Sequence, residues 1–167
     1  GFLHISDNYG LDTYIRREMK KVFSELDFQE IPTDHPIYKQ TFTFKNGLPK
    51  IHEHDKKAPQ GFGIFFEGRL VCYYDYESDL SDGWEDASIH NNPEEVRLKA
   101  LKMGANIIEY AFKIIKIKKI TARYMTENTS SAKVLKKLGF TEVGKVLIFS
   151  IARNEKVSHT KVELIKT

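Results

Sequence analysis

Residues 107–120 read IIEYAFKIIKIKKI, and the fold depends on whether this run is the inside of one helix or a seam between two segments. Ile107, Ile108, Ala111, Phe112, Ile115 and Ile117 recur at three- and four-residue steps, the period of an amphipathic helix running into a strand. Nothing in the local pattern marks a break, so a seam must be argued from the flanks.

Upstream, NNPEEV at 91–96 reads as a helix start. Asn92 can cap, Pro93 suits the first position, and Glu95 sits where a capping-box carboxylate would reach back. A helix from about Pro93 to about Lys116 is expected. Further upstream, GFLHIS reads as a strand and LDTYIRREMKKVF as a helix with Leu11, Tyr14, Ile15, Met19 and Val22 on its apolar stripe. DFQEI is a short strand, and residues 36–59 form a long loop. FGIFFEGRLVCYYDY is a hairpin turning at Glu67-Gly68, followed by the polar loop ESDLSDGWEDASIHN. Downstream come a strand in KKITARYMT, a capped helix in NTSSAKVLKKLGF and a closing hairpin over TEVGKVLIFSIA and VSHTKVELIK. In that helix Val134, Leu135 and Leu138 are expected to face the core. Gly139 should end it in a left-handed conformation, with Phe140 packing back.

The charge changes sign across the opening stretch. Residues 1–112 carry a net −6 and residues 113–167 a net +9, within a total of +3. Such a split points to separate origins or to an anionic partner for the basic part. The basic part lacks interleaved aromatics and a nucleic-acid-binding motif, so no nucleic-acid partner is expected. At 167 residues the chain is long enough to bury a core without staples, and its single cysteine, Cys72, excludes an internal disulfide. There is no apolar run long enough for a transmembrane segment and no signal-peptide pattern, which leaves the localisation open. The chain opens on Gly1 and enters an apolar run at Phe2, so an upstream piece is expected.

Two resemblances follow. GFLHISDNYG, IRREMKKVF, HPIY, NGLPKIHEHD, PQGFGIFFEGRLVCYY, YESDLSDGWED and NPEEVRLKALKMGANIIEYAF resemble the second half of the bacterial domain-of-unknown-function family numbered forty-one fifty-nine. That resemblance covers residues 1 to about 112. It implies an α/β fold of flavodoxin-like or glutamine-amidotransferase-like kind, with no established reaction and with further parallel strands supplied by a first half. NTSSAKVLKKLGFTEVGK is similar to the C-terminal half of the GNAT acyl-CoA N-acyltransferases, a likeness running from about Tyr110 to Thr167. It implies acetyl-CoA as cofactor and an amine as acyl acceptor, with Asn128 and Ser131 contacting the pantetheine or phosphate arm. A helix N-terminus, with free N–H groups and a positive dipole end, suits such a contact; Asn128 can equally serve as a plain helix cap. The family's glycine-rich pyrophosphate loop would stand where this chain has NNPEEVRLKALKMGAN, and Glu94 and Glu95 would repel a phosphate there.

The expected fold class is therefore α/β: a mixed sheet flanked by helices, with a GNAT-like C-terminal part closed by a β-hairpin. The expected organisation is an uncharacterised segment over 1–112 and a GNAT-like segment over 113–167, joined near Phe112 and packed as one globular unit. The element order also resembles that of a whole GNAT domain, so a single-fold reading stays open.

Other constellations are weaker. His52 and His54 share a face if extended, and with His35, His90 or Asp55 nearby they could ligate a metal such as zinc. A hydrogen-bonded loop pair is the plainer reading, and no metal is expected. Asp7 and Asn8 follow the first strand, where ligands bind in open α/β sheets, or they simply make a turn. The acidic residues around Trp84 could receive a cation or an amine. Tyr110, Tyr124 and Glu67 have the chemistry of acids or bases but no motif to fix them, so the catalytic residues stay unknown. Cys72 reads as a buried, inert thiol. The functional expectation is an uncharacterised protein of chimeric or decayed character, for which acyl-CoA-dependent N-acyl transfer is the one specific activity to test. The alternative is a non-catalytic binding or structural module. Oligomeric state is not legible.

Overall fold

The computed structural model describes residues 1–54, 56–85, 87–150 and 153–165, with the side chains of Ser130 and Val134 also outside that description. The candidate ligand Asp55 and the expected core contact of Val134 thus lie outside the described residues. The chain forms two compact units, Gly1–Lys116 and Ile117–Thr167. No helix among the described residues is long and apolar enough to cross a membrane.

The first unit runs β1 (Leu3–Ser6), α1 (Asp12–Val22), β2 (Gln29–Glu30), a 3₁₀ turn (Pro36–Tyr38), β3 (Gln60–Phe66), β4 (Arg69–Tyr76), a second 3₁₀ turn (Leu80–Trp84), α2 (Ala87–His90) and α3 (Glu94–Lys113). Its strands form one mixed sheet in the order β1-β4-β3-β2. β1 lies parallel to β4, with Leu3 opposite Cys72 and Ser6 opposite Asp75. The β3–β4 pair is the expected hairpin, and both residues at its turn are left-handed, Glu67 at φ 51° and Gly68 at φ 73°. That is the backbone twist a two-residue hairpin loop favours. The ladder passes from Ile64 opposite Cys72 to Phe65 opposite Leu70, so Val71 is an extra residue, a β-bulge.

The bulge sorts the side chains of β4 between two cores. Leu70 and Tyr73 join Ala100, Met103, Ile107 and Tyr110 of α3 together with Ile37, Tyr38, Leu48 and Ile51. Val71 and Cys72 join Ile64 and Met19 of α1 in the other. Met103, Ile107 and Tyr110 recur at helical spacing, as the sequence predicts. Truncating a buried Met or Ile of this kind typically costs about 2–5 kcal/mol. On α1, by contrast, Tyr14 and Val22 are exposed. Ile15 and Met19, with Phe23 and Leu26 beyond the helix, do the packing instead. The 36–59 loop is no surface excursion. Its aperiodic apolar residues cap the α3 side of the sheet, and Asn106 of α3 ties it down, accepting from the Phe42 N–H at 2.9 Å and donating to the Phe42 carbonyl at 2.7 Å.

Two boundary expectations are corrected. Pro93, not Asn92, occupies the N-cap position of α3, which begins at Glu94 without a side-chain cap, because the Asn92 side chain is engaged by His52. The helix ends at Lys113, and Lys116 turns left-handed at φ 57° before β5.

The second unit comprises β5 (Lys119–Met125), α4 (Thr129–Lys137), β6 (Thr141–Ser150) and β7 (Glu155–Ile165). Its strands form an antiparallel sheet in the order β5-β7-β6, with β6 and β7 as the closing hairpin. The expected α/β class thus holds, with the strands divided between two sheets. Gly139 ends α4 at φ 86°, and the Phe140 N–H reaches the Leu135 carbonyl while the Gly139 N–H reaches that of Lys136, both at 3.0 Å. This is the Schellman pattern, and Phe140 is buried as expected. Leu138 is exposed rather than core-facing, since it lies beyond the last turn of the helix. β6 is an edge strand with Leu147 and Phe149 exposed on one face and with Val143, the extra residue of a bulge, exposed as well.

Candidate functional site

The carboxyl ends of β1 and β4 lie side by side because the two strands are parallel, and a layered polar cluster fills the space beyond them. Its inner layer is structural. Asp75, fully buried, accepts from Ser6 Oγ at 3.1 Å and from the Asp7 N–H at 3.2 Å, and its other oxygen meets His4 Nε2 at 2.6 Å. Asp7 accepts from the Tyr74 hydroxyl and the Asn8 N–H, each at 2.9 Å, and from the Glu77 N–H at 2.7 Å. Burial pushes both carboxyls above the ordinary aspartate range, opposed by those donors. Asp7 therefore ties strand ends together, while Asn8 closes the turn into α1 by accepting from the Leu11 N–H at 2.9 Å.

The outer layer carries the histidines. The backbone N–H groups of Ile51 and His52 both donate to the Ser78 carbonyl, at 3.0 and 3.3 Å, which anchors the HEHD stretch to the end of β4. There the chain turns sharply, with Glu77 at φ 56° and Asp79 at φ 53°. Asp79 then leads into the 3₁₀ turn, where residues three apart eclipse, so Asp79 and Asp82 fall on one side. His54 Nε2 pairs with Asp79 Oδ2. His52 Nδ1 lies 3.0 Å from Asp82 Oδ2, and His90 Nδ1 lies 3.7 Å from the same oxygen. The far nitrogens are also engaged: His52 Nε2 meets Asn92 Oδ1 at 2.7 Å, and His90 Nε2 meets Glu85 Oε2 at 2.9 Å. His52, His54 and Asp79 each present a ligand atom within 4.8 Å of the others, and so do His52, Asp82 and His90. Burial raises the Asp79 carboxyl above its usual range, with the hydrogen bond from His54 opposing it.

The structure thus gathers His52, His54 and His90 but not His35. The His35 ring packs by Phe65 and Tyr110, and its Nδ1 accepts from the Ile37 N–H at 3.2 Å. Asp79 and Asp82 belong to the acidic run around Trp84 that the sequence offered to a cation, but their pairing with the histidines was not legible there. Trp84 is a structural pin, with its indole N–H donating to the Ala100 carbonyl at 2.9 Å. Tyr110 lies in the core, and Glu67 sits exposed at the hairpin tip. Cys72 is fully buried, and its thiol is pushed up to about 12 by that burial. In the second unit, Asn128 Oδ1 accepts from the Ser131 N–H at 2.9 Å, which makes it the cap of α4.

Comparison with known families assigns residues 1–112 to the domain of unknown function DUF4159. The chain belongs to the DUF4159 family. The polar cluster lies wholly within its DUF4159 span. A second family profile, the acetyltransferase (GNAT) domain, matches residues 84–141 and so overlaps the DUF4159 span over 84–112. No curated protein matches the chain. Among solved structures, a probable acetyltransferase is 17% identical with a TM-score of 0.40, over 65% of this chain and 62% of that one. A ribosomal-protein-S5-alanine acetyltransferase from Vibrio fischeri is 19% identical with a TM-score of 0.37, over 64% of this chain and 61% of that one. A ribosomal-protein-alanine N-acetyltransferase from Brucella melitensis is 12% identical with a TM-score of 0.43, over 93% of this chain and 78% of that one. The chain therefore spans less than two thirds of the length of the first two.

Proposed function

We propose that this DUF4159 chain is a binding module whose site is the polar cluster beyond β1 and β4. Its GNAT-like part, of chimeric or decayed character, then serves as scaffold rather than as a working acetyltransferase. The observation that carries this reading is the start of α3. Pro93 stands at the N-cap with Glu94 and Glu95 in the first turn, where the GNAT resemblance would require a glycine-rich pyrophosphate cradle. Carboxylates there complement the helix dipole and repel an anion.

A second reading is acyl-CoA-dependent N-acyl transfer. The amine attacks the thioester carbonyl, the C–S bond breaks and CoA leaves as the thiol, taking up the proton lost by the amine. It is favoured by the GNAT span and by Asn128, whose amide Nδ2 and neighbour Ser131 lie at the start of α4, where acetyl-CoA would be met.

Calorimetric titration of acetyl-CoA into the purified chain separates the two. The binding-module reading expects no saturable heat at millimolar ligand. Micromolar binding that persists in Asn128→Ser, which keeps the cap, and collapses in Asn128→Asp, which keeps the cap but repels phosphate, would establish the second reading instead.

A further inference from the structure

We infer that His52, Asp82 and His90 form a site for a divalent first-row transition-metal ion such as zinc, with the adjoining His54–Asp79 pair offering a fourth ligand. The inference deepens the binding-module reading and rests on it.

Spacing is the first argument. Donors about 2 Å from a tetrahedral zinc lie about 3.3 Å from each other, and the two distances converging on Asp82 Oδ2, 3.0 Å from His52 and 3.7 Å from His90, bracket that value. Two imidazoles and a carboxylate on one focus form a donor set of the kind zinc takes.

The outer hydrogen bonds are the second argument, and they are independent of spacing. Each imidazole uses Nε2 against an oxygen acceptor, Asn92 Oδ1 for His52 and Glu85 Oε2 for His90. A nitrogen facing such an acceptor carries the proton, which leaves Nδ1 of each neutral ring with a lone pair. Nδ1 of both rings then lies within 3.7 Å of one carboxylate oxygen. Between neutral rings and an ionised carboxylate that contact is repulsive when empty and attractive once a cation sits between the three groups. Metal-bound histidines are held in just this way, with the far ring N–H donated to a carboxylate or carbonyl that fixes tautomer and orientation.

Charge and access agree. The Asp79 side chain is only 4% exposed, and buried carboxylates are ordinarily paired with cations or coordinated to metals. His52, Asp82 and His90 are each partly open, at 21%, 23% and 28%, so an ion can enter from solvent. Two carboxylates with neutral imidazoles balance a dication.

The test uses the full chain stripped with EDTA. Zinc is titrated in competition with a chromophoric chelator, and cobalt(II) is titrated while its visible d–d absorption is followed. The expected result is one equivalent of zinc per chain and the intense bands of a four-coordinate cobalt site. His52→Ala and His90→Gln should each weaken zinc binding by more than about tenfold. Asn92→Ala, which removes only the outer bond to His52, should weaken it by about 10–100-fold with the stoichiometry kept. His90 stands on the short α2, so His90→Gln reports on the site if His52→Ala fails to fold, as judged by circular dichroism. No zinc uptake by the folded wild-type chain, or uptake unchanged in both His90→Gln and Asn92→Ala, overturns the assignment. The two readings fail separately: acetyl-CoA turnover sinks the binding module, whereas absent zinc uptake beside absent turnover sinks the metal site alone.

Discussion

His35 is held in a form that protonation would disrupt. Its Nδ1 accepts the Ile37 N–H, capping the first 3₁₀ turn, and the ring is packed by Phe65 and Tyr110. Burial lowers its pKa, opposed by the charge of Asp34. The unfolded chain therefore binds the proton more readily than the folded one. The stability this contributes is present above the unfolded value of about 6.5 and is lost as pH falls through it towards the lower folded value. Between pH about 7.5 and about 5, wild type should lose more urea stability than His35→Asn, in which an amide oxygen can keep the cap; parallel losses would refute the assignment. Cys72 gives a second expectation at this scale. Its buried thiol should resist a disulfide reagent in the native chain and react at once in denaturant. The cysteine was readable because its strand is apolar on both sides. Asn92 was not, since a cap and a histidine partner leave the same mark in sequence, and a residue 40 positions away decided between them.

The same division runs through the elements. The β3–β4 turn and the end of α4 were legible because positive φ is a local requirement that Gly68 and Gly139 announce. The 36–59 loop was not, because Ile37, Tyr38, Leu48 and Ile51 reach the core without a period. The second 3₁₀ turn was hidden in a polar run, yet it places Asp79 and Asp82. It is held against α3 at Gly83, where an added Cβ would stand 2.3 Å from that of Ala100. Gly83→Ala should therefore cost about 1–3 kcal/mol by overpacking, read as a lower urea midpoint. Because the turn moves with it, zinc affinity should fall as well. An unchanged midpoint would mean that α3 and the turn are not in contact.

At the level of the whole molecule, the reversal of charge from −6 to +9 and the two quoted resemblances made a two-part chain legible. Which strands would share a sheet was not, since long-range pairing leaves little local trace. The three-stranded sheet of the second unit ends in β6, ten residues long, with Val143, Leu147 and Phe149 exposed. An open apolar edge of this length is a template for pairing with another copy. Sedimentation should show concentration-dependent association, reduced in the Leu147→Lys, Phe149→Lys double variant. Association of equal strength in that variant would place the contact elsewhere.

The extra residue in β4 has a consequence several positions downstream. Side chains along a strand alternate like a two-stroke count, and Val71 makes the strand miss one beat. Were Val71 paired in a regular ladder instead of bulged, the parity set at Leu70 would carry Cys72 and Tyr74 towards α3 and aim Asp75 at α1, away from His4. The bulge therefore sets the phase of Asp75, the one carboxylate on the strand beyond it. Deleting Val71 should therefore restore plain alternation, Leu70 then Cys72, and leave Tyr73, Tyr74 and Asp75 on their present faces.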